Sequence, residues 1–150
     1  MVTELLANKA LLAGLIAWML AQIFKTPIEY LVTGRWSWGA MFNAGGMPSS
    51  HSALMTSTTT AIGLFNGFDT PAFALAVAIS MVVIYDAAGV RRQAGIHAEK
   101  INLLFQEFFT DGTVRPELLK EVIGHTPRQV IAGIFLGVTV ALIFWLIIRP

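Results

Sequence analysis

No cysteine occurs in the chain, which excludes disulfides, iron–sulfur clusters and thiolate zinc sites outright. Charge is scarce as well. Asp, Glu, Lys and Arg make up 13% of the residues, where a soluble domain carries about 25%. The two signs nearly cancel, ten Lys and Arg against nine Asp and Glu, so the net charge of +1 identifies no partner by itself and no nucleic-acid partner is expected. What is abundant is apolar surface. Hydrophobic residues make up 55% of the chain and the mean hydropathy is +0.68, far outside the soluble average, which makes this an integral membrane protein. By length, 150 residues are one domain, 1–150.

The fold class expected is all-α, a helical bundle of about four transmembrane helices with interfacial and amphipathic helices beside them. A helix needs about 20 apolar residues to cross a hydrocarbon core. Leu5 to Phe24 supplies them, interrupted only by Asn8, Lys9 and Gln22. A signal peptide would end its apolar core at a small-residue cleavage site, whereas this segment closes on Gln22, Ile23, Phe24 and Lys25, so it reads as a retained first span. Lys25 to Met47 carries Pro27, Gly34, Gly39, Gly45 and Gly46 with Tyr30, Trp36 and Trp38, the composition of an interfacial segment with an aromatic belt. Pro48 to Gly67 is diluted by serines and threonines, which suit a central helix packed tightly against other helices. After a turn at Asn66, Gly67, Asp69 and Pro71, a further span runs from Pro71 to Tyr85.

Ala87 to Thr126 is the polar part of the chain, with Ile101, Leu104, Phe105 and Phe108 at helical spacing. An amphipathic helix followed by a turn at Gly112 is expected there. Val130 to Ile148 is the cleanest span, with only Thr139 polar, and its Gly133 and Gly137 form a GxxxG face that would suit a homodimer. With four spans, Lys25, Arg35, Arg91, Arg92, Lys100, Arg115, Lys120 and Arg128 fall on one side, against Lys9 and Arg149 opposite. The positive-inside rule puts that side in the cytoplasm of a bacterial-type cell membrane.

Three stretches on that side combine groups able to handle an anion. In GHTPRQVIAG, Thr126, Pro127 and Gln129 fit the N-cap, N1 and N3 positions of a capping box, so His125 stands at the positive end of a helix dipole. Gln129 is four residues from His125 and can orient its ring, a use that competes with its bond to the Thr126 N–H. In GGMPSSHS, two glycines let backbone approach a ligand, Ser49 or Ser50 caps a second helix, and His51 sits in its first turn. Imidazole titrates at about pH 6.5 in water, which suits a general acid. In DAAGVRRQAG, Arg91 and Arg92 can grip phosphate oxygens while Asp86 orients one of them. Taken singly, each histidine, His97 included, reads as a capping or interfacial residue, and the arginines as interface anchors.

GGMPSSHSA, DAAGVRRQAG and LKEVIGHTPRQVIAGIFLG, in that order, resemble a divergent branch of the type 2 phosphatidic acid phosphatase superfamily, which is related to the vanadium haloperoxidases. Pro48, Ser49, Ser50 and His51 match its PSGH motif, with Ser50 in place of glycine, and His125, Gln129, Ala132 and Gly133 fall on its later motif. The resemblance implies that His125 takes up the phosphoryl group, that His51 is the general acid, and that neither a metal nor another cofactor takes part. Two further positions depart from the pattern. Gln129 stands where the superfamily has aspartate, and the arginine before the nucleophile is missing, the nearest cation being Lys120. Arg91 and Arg92 stand in for it, and Lys25 is the candidate for the superfamily's lysine before the first motif.

The activity expected is hydrolysis of a lipid phosphomonoester or pyrophosphate at the cytoplasmic membrane face, with His125, His51 and Gln129 catalytic. Arg91, Arg92, Lys25, Ser49, Ser50 and Asp86 would hold the lipid phosphate. The alternatives are a non-catalytic binder or carrier of phospholipid headgroups and a structural membrane subunit.

Overall fold

The computed structural model describes residues 2–42, 45–108 and 124–149, and every regular element among them is helical. The apolar run expected as one span from Leu5 to Phe24 is divided. Asn8 accepts a hydrogen bond from the Leu11 N–H at 3.0 Å through its side chain, and so ends α1 (Val2–Ala7) and caps α2 (Lys9–Thr33). Nor does α2 stop at Phe24. It continues through Pro27, which removes one backbone donor from the helix, and closes at Gly34, whose φ of 70° and N–H bond to the Tyr30 carbonyl make a left-handed cap.

The interfacial reading of Lys25 to Met47 is therefore corrected for its first third. Lys25 and Thr26 are buried inside α2, at 2% and 1% exposure. The Thr26 hydroxyl donates to the Ser37 carbonyl at 3.2 Å, which holds the chain after α2 back against that helix and leads it into a 3-10 turn, Trp38–Phe42. The aromatic side chains of the segment lie at the surface. Tyr30, Trp36 and Trp38 are exposed, and Trp36 meets the other two edge to face at 5.7 and 5.3 Å, a geometry that aromatic rings prefer.

At the centre lies α3 (Ser50–Asn66), packed against α2, α4 (Pro71–Ala88) and α6 (Pro127–Ile148). Its hydroxyls bond to neighbouring helices, as a helix facing protein requires. Ser57 donates to the Ala13 carbonyl of α2 at 2.9 Å, and Thr59 shares a 2.7 Å bond with Ser80 of α4. Buried Ala13, Ala17 and Ala21 of α2 meet Ala53 and Ala61 of α3, so small side chains permit the close approach. Replacing Ser57 by alanine is expected to lower stability by about 0.6 kcal/mol, the typical worth of one interhelical hydrogen bond in a membrane protein. Unfolding in mixed micelles, followed by helicity, checks it.

Beyond Ala88 the chain continues into the expected amphipathic helix, α5 (Val90–Phe108), with only Gly89 between the two helices. The turn expected at Gly112 lies outside the described residues, as do Arg115 and Lys120. Among the described residues, three stretches are long and apolar enough to cross a membrane: α2, Pro71–Phe105, and α6. The 17 residues of α3 are not among them and run between them. Gly133 and Gly137 of α6 lie against α3, so the GxxxG face is occupied within the chain and self-association would use another surface.

Candidate functional site

The sequence of α6 fixes its own start. Thr126 is an extended N-cap at φ −74° and ψ 154°, Pro127 occupies the first helical position with the φ a helix needs, and Gln129 closes the capping box. His125, the residue before the cap, is 3% exposed. Its backbone N–H donates to the Ala87 carbonyl at 3.1 Å, so the last turn of α4 holds the main chain of the candidate nucleophile.

Gln129 Oε1 accepts from the Thr126 N–H at 3.0 Å and lies 3.3 Å from His125 Nδ1. The two uses that the sequence sets in competition are made by one oxygen, which has a lone pair for each. A chemical assignment follows. A backbone N–H only donates, so the amide atom facing Thr126 is the oxygen rather than the nitrogen. An amide oxygen only accepts, so Nδ1 carries the hydrogen in this contact, and in the neutral ring Nε2 keeps the lone pair.

The second helix start is tied to the first. Ser49 caps α3, its hydroxyl accepting from the Ser52 N–H at 3.3 Å and from the Ser52 hydroxyl at 3.0 Å. The Ser49 N–H donates to the Gln129 carbonyl at 2.9 Å, a backbone bond between the N-cap of α3 and the first turn of α6. Ser49, Ser50 and Ser52 are all buried. This junction brings the His51 ring to 5.8 Å from the His125 ring, centroid to centroid, with 64° between their planes. Ser49 thus has its amide and its hydroxyl oxygen engaged in holding the two helix starts together.

The remaining candidates occupy adjoining turns. The Lys25 side chain runs beneath Gly46, whose φ is 91° and where a Cβ would stand 3.6 Å from Lys25 Cδ, so the buried lysine lines the glycine loop that leads into Ser49. Asp86 is partly buried, one residue before the carbonyl that holds His125. Arg91 and Arg92 stand in the first turn of α5, where Arg92 is exposed and the Arg91 side chain is outside the described residues. His97 is exposed farther along α5. Direct contacts thus join His51, His125, Gln129 and Ser49, and chain continuity brings Ser50 with them. Among the described residues no group of three or more His, Cys, Asp or Glu is placed to hold a metal ion.

Two contributors escape a reading of side chains. The Ala87 carbonyl is a backbone atom, and nothing in the residue type marks it. Ser52 carries a weak signal, since it follows the Ser49 cap at the three-residue spacing of a capping interaction.

A family model described as the divergent PAP2 family matches residues 6–140. The chain is 37% identical over 151 residues to the uncharacterized membrane protein YuiD of Bacillus subtilis strain 168, an alignment that covers 93% of this chain and 96% of that protein. No solved structure matches.

Proposed function

The chain belongs to the divergent PAP2 family, and from that membership we propose that it is a membrane lipid phosphatase working through a phosphohistidine on His125. The observation that carries this reading is the meeting of His51 and His125, rings 5.8 Å apart, at two capped helix starts joined by the Ser49–Gln129 backbone bond. An anion is favoured at such a place, because first-turn N–H groups and both helix dipoles stabilise negative charge.

In the first step the Nε2 lone pair of His125 attacks phosphorus. The bond from phosphorus to the lipid oxygen breaks, and His51 donates a proton to that leaving oxygen. In the second step neutral His51 takes a proton from water, whose oxygen attacks phosphorus. The bond to Nε2 then breaks, inorganic phosphate leaves, and both imidazoles return to their starting forms. Lys25 supplies positive charge to the phosphate from α2, Ser50 supplies a hydroxyl at the start of α3, and Arg91 and Arg92, in the first turn of α5, are the further cations assigned to it, with Asp86 orienting one of them. Nδ1 keeps its hydrogen on Gln129 Oε1 throughout, so the ring is oriented by a neutral acceptor where the parent superfamily uses a carboxylate.

We take α3 as a fourth membrane-crossing helix shielded by the other three, and the site end of the bundle as cytoplasmic. That side favours lipids phosphorylated on the same face, such as phosphatidate and phosphatidylglycerol phosphate. Purified protein is expected to release inorganic phosphate from at least one member of a panel containing these lipids and a polyprenyl pyrophosphate. Release from none would overturn the reading.

Gln129 also motivates the second reading, a headgroup binder without turnover. Gln129→Glu separates the two, because a glutamate keeps both hydrogen bonds and the capping box while adding charge. A charged acceptor strengthens such a bond by about 1.4 kcal/mol, so turnover is expected to rise about tenfold in the phosphatase. Vanadate binding without turnover in either form would favour the binder.

A further inference from the structure

The seam between α6 and α3 begins at the histidines. Along α6, Gln129, Gly133 and Gly137 recur every four residues, and along α3 so do Ser49, Ala53 and Ser57. The first pair is bonded main chain to main chain, Ser49 N–H to the Gln129 carbonyl at 2.9 Å. At the next turn Gly133 lies directly on the Ser49 carbonyl. A Cβ there would collide with that oxygen and stand 2.9 Å from Ser52 Cβ. One turn farther from the histidines, a Cβ on Gly137 would stand 2.6 Å from the Ala53 carbonyl oxygen and 2.9 Å from the Ser57 nitrogen. Both glycines are required for contact of the two backbones, but they act at different depths. Gly133 touches the same residue, Ser49, that caps the helix of His51 and that bonds the helix of His125.

We propose that Gly133 is a positioning residue that sets the separation of His51 and His125 by letting α6 rest on the Ser49 carbonyl. The inference rests on the phosphatase reading for its catalytic consequence, while the spacing itself can be read without turnover. A methyl at 133 moves α6 away from the cap of α3. The Ser49–Gln129 bond stretches, and His125 shifts relative to His51. The same methyl at 137 acts two turns below Gln129 and leaves the bonded turn in place. Lys25, on α2, is displaced in neither case, so substrate binding changes less than the chemical step.

The experiment compares the full chain with Gly133→Ala and with Gly137→Ala, recording kcat, KM, unfolding midpoint and affinity for vanadate, which mimics the phosphoryl group in transfer. Both variants are expected to lose stability to a similar degree. Gly133→Ala is expected to lose ~100-fold in kcat, the scale of an ångström-sized misplacement, with KM little changed, and Gly137→Ala to keep most of its kcat. Adding Ser52→Gly to Gly133→Ala removes the 2.9 Å neighbour but leaves the Ser49 carbonyl in the way, so it is expected to recover part of the stability without recovering kcat. That pair carries the comparison should the single variant not fold. Equal losses of kcat at 133 and 137, or full kcat in Gly133→Ala, would overturn the assignment while leaving the phosphatase reading in place. If the wild type releases no phosphate, the phosphatase reading fails instead. The spacing is then read from vanadate alone, and equal vanadate affinity in all three proteins would overturn it.

Discussion

His125→Ala is expected to abolish phosphate release, a loss of at least ~10⁴-fold on the scale seen when a covalent nucleophile is removed. The substitution takes away Nε2, the only protein atom in the proposed reaction that bonds to phosphorus, and leaves His51 with an acid's role and nothing to assist. It should not unfold the protein. The backbone bond from residue 125 to the Ala87 carbonyl does not depend on the side chain, and Gln129 still closes the capping box with the Thr126 N–H. What disappears from the fold is a 3.3 Å contact to Gln129 and the packing of a buried ring, which together cost about 1–3 kcal/mol. Activity and helicity measured on the same preparation check both halves. Full activity in this variant would remove His125 from the mechanism.

The second large effect is at His51. His51→Ala is expected to lower turnover of a lipid phosphate by about 10²–10⁴-fold, the usual contribution of a positioned general acid. The size of the loss should depend on the leaving group. A lipid alkoxide needs a proton as it departs, whereas nitrophenolate leaves readily without one, so formation of the phosphohistidine from nitrophenyl phosphate should be nearly normal in the variant. The second step still lacks its base. His51→Ala should therefore release one equivalent of nitrophenol per enzyme in a burst and then turn over slowly. A uniform loss across leaving groups, with no burst, would assign His51 a structural role instead.

Much of this site is visible in the sequence, because capping is a local property. Thr126, Pro127 and Gln129 announce the start of α6, and the pair Ser49 and Ser50 that of α3, without reference to the rest of the chain, and the structure makes Ser49 the cap. The hydroxyl-rich segment from Pro48 to Gly67 likewise marks a helix among helices, and Ser57 and Thr59 make the bonds that such composition promises. The misreadings come from features decided by geometry. Asn8 sits in an apolar run where hydropathy sees one span, yet its side chain caps a new helix. Lys25 and Pro27 look like the end of a helix, but α2 persists to Thr33 and buries both Lys25 and Thr26.

The partner of the GxxxG face is illegible for a related reason. The glycines show that some backbone comes close, and only the fold shows that it is α3. The double use of Gln129 was hidden most deeply, because spacing alone gives two contacts for one residue and cannot say that a single oxygen makes both. In the proposed reaction that oxygen gives a position with a missing charge a defined tautomer, with Nδ1 as donor and Nε2 left to face phosphorus.

The most direct measurement is acid–base trapping of the phosphoenzyme. Protein mixed with a lipid carrying radiolabelled phosphate is quenched within one turnover and the protein-bound label counted. Label that survives alkali, is lost in mild acid as phosphohistidine is, and is absent from His125→Ala is the expected result. Phosphate released by the wild type with no trapped label, or label that persists in His125→Ala, would contradict it.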